Sequence, residues 1–264
     1  MPRFAANLSM LFTEYPFGER FDRAAAAGFR AVEFLFPYDE DVPAIAAALK
    51  RNGLEQILFN LPVGDFAAGE RGLAADPARV GEFRDGLARA LEIAAALDCR
   101  RLNCLVGRAN PDLPRETQLA TAAENLVYAA EEAVAAGVRL LVEPLNPFDA
   151  PGFLLPTTFD ALALIDRAGH PNLVLQFDVY HCQRAEGNVT HRLREVIDRV
   201  GHVQIADSPD RHQPGTGEIN FAYVLAALDA TDYDGWVSLE YKPLGGTEAS
   251  LSWMRGYEAV VGSR

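Results

Sequence analysis

Short apolar runs alternate with longer amphipathic ones from one end of the chain to the other. The short runs are 4–12 (FAANLSMLF), 31–36 (AVEFLF), 54–61 (LEQILFNL), 101–106 (RLNCLV), 139–146 (RLLVEPLN), 173–181 (LVLQFDVYH), 202–207 (HVQIAD) and 236–242 (WVSLEYK). Most are rich in Val, Ile, Leu and Phe, the pattern of parallel strands buried on both faces. The long runs, such as 77–98, 116–137 and 247–260, place apolar residues three and four apart, which predicts helices. Glycines in AAAAGF, KRNGL, AVAAGV, RVGHV and YDGW mark the joins from helix to strand, where a left-handed residue ends a helix.

Eight such units in 264 residues predict a closed (β/α)8 barrel, the TIM barrel, as an α/β fold. No Pro/Gly/Ser-rich linker or break in composition divides the chain, so one domain over 1–264 is expected. A doubly wound sheet would place a G-x-G-x-x-G after the first strand. That strand runs instead into LFTEYPFGER. The lone G-x-G in 214–220 (PGTGEIN) follows a late strand and is read as a turn.

Barrels of this kind keep their chemistry at the C-terminal ends of the strands. Four polar residues stand there in otherwise apolar runs: Glu143, Asp178, Gln204 and Glu240. Their gaps of 35, 26 and 36 residues are each about one β/α unit, which puts them on strands five to eight. With neighbouring strands ~4.8 Å apart, four inward side chains at one level converge. Three carboxylates and an amide carbonyl are hard oxygen donors, suited to Mg²⁺ or Mn²⁺. Without a cation or a proton, three such acids would repel one another.

His181, Arg211 and Lys242 lie close by in sequence and are candidates to contact an anionic substrate. His212 shares a loop with Arg211, and Glu218 is read as ordering that loop. Glu33 and Asn7, on early strands, could line the far side of the pocket. His202 has the strand parity of Gln204 but lies deeper, as a satisfied histidine of the barrel interior would.

Charge narrows the partners. There are 24 Lys+Arg against 37 Asp+Glu, a net charge of −13, which disfavours nucleic acid. A small anion held by a local cation remains compatible. Cys99, Cys104 and Cys182 are too few for a disulfide framework and form no CxxC pair, so a reducing cytoplasm is expected. No secretory leader or membrane span is expected. The apolar residues of 251–260 (LSWMRGYEAV) could pack in a homo-oligomer or against the barrel. No nucleophile elbow, nicotinamide fingerprint or P-loop competes with the acid ring. Two carboxylates beside a chelated hydroxy-carbonyl form a proton-transfer device.

The strings NLSMLFTE, EPLN, QFDVYHCQRAEGN, HVQIADSPDRHQPGTGEIN and GWVSLEYKP closely resemble the hydroxypyruvate isomerase family of xylose-isomerase-like barrels. The resemblance runs from the first strand to the last. It implies that Glu143 and Glu240 transfer the protons, and that Glu143, Asp178, Gln204 and Glu240 hold a Mg²⁺-type ion. It implies hydroxypyruvate as substrate and 2-hydroxy-3-oxopropanoate (tartronate semialdehyde) as product, with an enediol between them. The related 2-oxo-tetronate isomerases share the carboxylate pair and are the first alternative. Ketose 3-epimerases usually carry His where this chain has Gln204, which argues mildly against that activity. Apurinic endonucleases share the barrel but need a histidine-rich site and a DNA-binding face. A barrel that binds a small acid or sugar without turning it over is the remaining alternative.

Overall fold

The computed structural model describes residues 2–255. Nine parallel strands form one sheet: β1 (Arg3–Asn7), β2 (Ala31–Glu33), β3 (Glu55–Gln56), β4 (Phe59–Asn60), β5 (Arg101–Cys104), β6 (Arg139–Val142), β7 (Leu173–Asp178), β8 (Val200–Ile205) and β9 (Trp236–Leu239). Their order is β3-β2-β1-β9-β8-β7-β6-β5-β4. The two ends of that order are halves of one run, 54–61, interrupted only at Ile57 and Leu58. β3 pairs with β2, and β4 pairs with β5. The sheet therefore closes on itself, and the eight expected strands make the (β/α)8 barrel with the third strand kinked.

Helices α1 (Phe17–Ala26), α2 (Val42–Asn52), α3 (Val80–Ala96), α4 (Arg115–Ala135) and α5 (Thr158–Ala168) follow β1, β2, β4, β5 and β6. After β7 come two, α6 (Val179–Ala185) and α7 (Val189–Val196), and then α8 (Phe221–Asp229) and α9 (Thr247–Ser250). Gly53 ends α2 with φ 62°, as its place in KRNGL predicts. Gly201 does not end a helix. It lies within β8, and a Cβ there would meet Val174 Cγ2 at 2.4 Å, so close packing inside the barrel excludes a side chain. The run 251–260 passes out of the described residues, but Trp253 packs edge-on against Phe4 with centroids 5.4 Å apart. Among the described residues no helix is long and apolar enough to cross a membrane.

The large core fills the space between sheet and helices. A second, smaller cluster of Ala5, Ala31, Ile57, Leu58 and Leu141, with Val174 and Trp236 against it, lies apart. Ala5, Ala31 and Leu141 are strand residues whose side chains point into the barrel, and with Ile57 and Leu58 from the kink between β3 and β4 they form the floor of its interior. Two residues further along the same strands, the interior turns polar: Asn7, Glu33, Glu143 and Gln176. Period-two alternation thus stacks an apolar floor beneath a buried polar mouth.

Candidate active site

The polar interior is built in two levels. The lower one centres on Glu33, whose side chain has no solvent exposure. Its Oε1 accepts from Asn7 Nδ2 at 2.9 Å and from Gln204 Nε2 at 2.8 Å. Its Oε2 lies 2.7 Å from His202 Nε2. Burial pushes this carboxyl up, but His202, Gln204 and Asn7 outweigh it, so the net shift is downward. His202 is the satisfied interior histidine expected. Glu33 and Asn7 do not line the pocket: both are buried beneath it, because their side chains are consumed by this network.

The upper level holds Glu143, Asp178 and Glu240, all buried. Glu143 and Glu240 directly follow β6 and β9, and Asp178 ends β7. Glu143 Oε2 accepts from Asn103 Nδ2 at 2.7 Å. Asp178 Oδ1 takes the Tyr180 backbone N–H at 2.8 Å and so caps α6. Glu240 Oε1 accepts a long bond, 3.4 Å, from Asn7. One cation contacts two of the three: Arg211 Nη2 lies 2.7 Å from Glu240 Oε2 and 3.4 Å from Asp178 Oδ2. Burial, with Asp178 adding to it, pushes Glu143 up to about 8 against Arg211 and the Asn103 amide. Burial likewise raises Asp178, and holds Glu240 well above the usual carboxylate range despite Arg211.

Arg211 is placed by strained backbone. Its φ is 60°, a left-handed conformation uncommon outside glycine. Its N–H donates to Asp207 O at 3.0 Å, and its carbonyl accepts from Lys242 N at 2.8 Å. Asp207 organises the same loop, with its carboxylate accepting backbone N–H bonds from Ser208, Gly215, Thr216, Gly217 and Ile219. The G-x-G segment is therefore a turn, as its sequence suggests. Glu218 accepts from Ser208 Oγ and Gln183 and helps order that loop. His212 Nδ1 bonds to the Lys242 carbonyl at 2.8 Å.

His181 is buried on α6. Its Nδ1 accepts the Asn146 backbone N–H at 3.1 Å, which leaves the ring proton on Nε2, 3.6 Å from Asp178 Oδ2. Burial and the Arg211 charge push its pKa well below the usual histidine value, so the ring is neutral. Lys242 departs from the sequence expectation of a buried lysine among acids. It is exposed at the rim, because β9 ends at Leu239 and the alternation that would aim Lys242 inward stops there. Gln204 pairs in register with Asp178 across β7 and β8. Its amide bridges the levels: Nε2 on Glu33, and Oε1 accepting from Gln176 Nε2 at 2.6 Å.

A cavity of about 780 Å³ opens over this upper level, lined by Glu143, Glu240, Arg211, His181, Lys242 and Arg71 among others. An oxygen of Glu143, an oxygen of Asp178 and a nitrogen of His181 lie within 4.8 Å of one another, so this buried group could bind a metal ion. Sequence reasoning missed Asn103, Gln176 and Arg71. The first two carried the signal used for the acids, a polar residue in an apolar strand. Arg71, in a loop, carried none.

The profile described as "Xylose isomerase-like TIM barrel" matches residues 21–257. The chain is 52% identical over 257 residues to the hydroxypyruvate isomerase of Escherichia coli (strain K12), covering 97% of this chain and all of that one. It is 48% identical over 257 residues to the 2-oxo-tetronate isomerase of Cupriavidus necator, covering 97% and 99%. A solved structure described as an AP endonuclease, family 2, from Brucella melitensis superposes with a TM-score of 0.95 at 47% identity, covering 97% and 99%. This chain therefore belongs to the xylose isomerase-like TIM barrel family, within its hydroxypyruvate isomerase group.

Proposed function

We propose that this protein is an intramolecular oxidoreductase that interconverts hydroxypyruvate and 2-hydroxy-3-oxopropanoate by proton transfer through an enediol. One observation carries the reading. Two buried carboxylates of raised proton affinity, Glu143 and Glu240, line one cavity in a chain that matches isomerases of small hydroxy-oxo acids over nearly its whole length.

A carboxylate whose pKa lies near neutrality both takes and returns a proton readily. In the forward direction, one glutamate removes a proton from C3, which leaves an enediol across C2 and C3. The other delivers a proton to C2. The proton on the C3 oxygen leaves as the C2 oxygen gains one, so the carbonyl shifts by one carbon without net redox change. His181 presents its Nε2–H toward the cavity as a donor to a substrate oxygen. Arg211 keeps Glu240 oriented through the 2.7 Å contact, and Lys242 at the rim draws in the anion.

The upper level fits a divalent cation. Three carboxylates face a single guanidinium, so two positive charges are missing, and burial has raised all three acids accordingly. Glu143, Asp178 and Glu240 would hold Mg²⁺ or Mn²⁺, with Gln204 Oε1 offering its second lone pair. Bound there, the ion would stabilise the negative charge that develops on the enediol oxygens. His181 is a poorer ligand, because Nε2 would have to lose its proton to an Nδ1 that already faces the Asn146 N–H.

The endonuclease description of the Brucella melitensis chain does not transfer well. Five histidines and a net charge of −13 suit neither a histidine-rich metal cluster nor a DNA backbone. The cavity admits a four-carbon acid as well as a three-carbon one, so 2-oxo-tetronates belong in the same assay. The test is proton NMR in D₂O with hydroxypyruvate, 2-oxo-tetronates and free ketoses, each with EDTA and with Mg²⁺ or Mn²⁺. Interconversion of hydroxypyruvate with deuterium uptake at carbon, lost in EDTA and restored by either ion, is the expected result. Turnover of free ketoses alone, by inversion at C3, overturns the reading in favour of an epimerase.

A further inference from the structure

We propose that Arg71 grips the substrate carboxylate and so selects sugar acids over neutral sugars at this site, an inference that rests on the acid-isomerase reading above. The need for such a group follows from the other cations. Arg211 is engaged: Nη2 by Glu240 and Asp178, Nε by the Glu240 carbonyl, and Nη1 4.0 Å from Asp149. Lys242 is exposed. His181 is neutral.

Arg71 lines the same cavity and has no carboxylate within 4 Å among the described residues. Its Nη1 donates to the Glu70 carbonyl at 2.7 Å and the Phe66 carbonyl at 3.1 Å. The guanidinium lies over the Phe66 ring, 4.0 Å from its centroid, and Phe66 in turn rests on Phe36. These contacts fix the group while leaving its Nε and Nη2 without a protein acceptor among the described residues. That edge is a two-donor fork matched to a carboxylate. Burial and the nearby Arg108 lower the Arg71 pKa.

The loop that carries Arg71 is held rigidly. Gly72 has φ 127°, and a Cβ there would stand 1.8 Å from the Leu105 carbonyl oxygen, so loop and strand end touch backbone to backbone. Ala75 N–H donates to Val106 O at 3.0 Å. This loop follows β4, whereas Arg211 follows β8. Counting β3 and β4 as one strand, β4 and β8 are four places apart in either direction around the barrel. Arg71 and Arg211 therefore face each other across the mouth. A short acid lying across it would have its carboxylate at Arg71 and its reacting carbons beside Glu240, Arg211 and Glu143.

The test compares wild type with R71Q and R71K on hydroxypyruvate and on dihydroxyacetone, the neutral analogue with CH₂OH in place of the carboxylate. R71Q is expected to raise KM for hydroxypyruvate roughly tenfold or more, with kcat within about threefold. R71K should recover part of that loss, and any turnover of dihydroxyacetone should be unchanged. Calorimetric binding of D-glycerate, an acid that carries no carbonyl to isomerise, should weaken by a similar factor in R71Q. An equal loss on both substrates, a loss in kcat alone, or glycerate binding that ignores Arg71 overturns the proposal. If wild type fails to isomerise hydroxypyruvate, the function assigned above falls, and the glycerate titration still decides the role of Arg71.

Discussion

Glu33 and Glu143 are both buried glutamates of the barrel interior, one level apart, and their proton affinities move in opposite directions. Burial alone raises both. Donor count explains the split. Glu33 has two amide donors on one oxygen and a histidine on the other. Glu143 has one short amide bond, from Asn103, a weaker contribution from the Gln176 amide, and a like charge in Asp178. The lower carboxylate is thereby fixed as a structural anion. The upper one keeps an affinity for protons and cations that only a ligand can satisfy. Gln204 joins the two levels: its Nε2 donates to Glu33, and its Oε1 accepts from Gln176, whose amide also acts on Glu143.

The sharpest way to break this contrast is to neutralise one glutamate at a time. E143Q and E240Q should each lower hydroxypyruvate turnover and solvent-deuterium exchange by about a thousandfold, the scale of a lost general acid or base. E33Q should leave turnover within about tenfold of wild type, because it touches no reacting atom. If E33Q loses as much as E143Q while remaining folded, the separation into a structural and a chemical level is wrong.

Stability should show the reverse ranking. E33Q removes the charge that His202, Gln204 and Asn7 are arranged to meet, so it should cost roughly 3 kcal/mol in urea denaturation. E143Q removes a carboxylate that burial disfavours, and in metal-free protein it should be neutral or stabilising. A destabilised metal-free E143Q would mean that the upper acids are already balanced without a ligand.

The barrel was legible because its strands are apolar and evenly spaced. What misled was their length: 139–146 reads as one strand, yet the ladder stops at Val142 and hands Glu143 to the cavity. The polar ends that leave the sheet are the ones that build the site, so the same residues blur the strand boundary and reveal the chemistry. The two levels were not legible. Glu33 and Glu143 have the same sequence signature, and they differ through partners up to 171 residues away. Nor was the state of Lys242, since alternation was extended past the end of β9. Arg71 lies in a loop without periodicity, and its position depends on the contact between Gly72 and the Leu105 carbonyl.

The smallest expected effect is a change in how stability depends on pH. Below pH ~4, Glu143 is protonated in folded and unfolded chains alike. Between there and about 8, the folded chain keeps a proton that the unfolded chain has lost. The native state binds more protons over that window, so stability falls as pH rises through it. Glu33 acts in the opposite sense, contributing stability at neutral pH that is lost as pH falls through its lowered folded value. Scanning calorimetry in EDTA should therefore show the Tm of wild type declining between pH 5 and 8, and the decline should be shallower in E143Q. E33Q should keep that decline and lose stability less steeply toward acid. Excess Mg²⁺ should flatten the wild-type decline, because a cation among Glu143, Asp178 and Glu240 favours their ionised forms. Parallel wild-type and E143Q curves in EDTA would show that Glu143 is already ionised in the free protein, and the contrast with Glu33 would then rest on geometry alone.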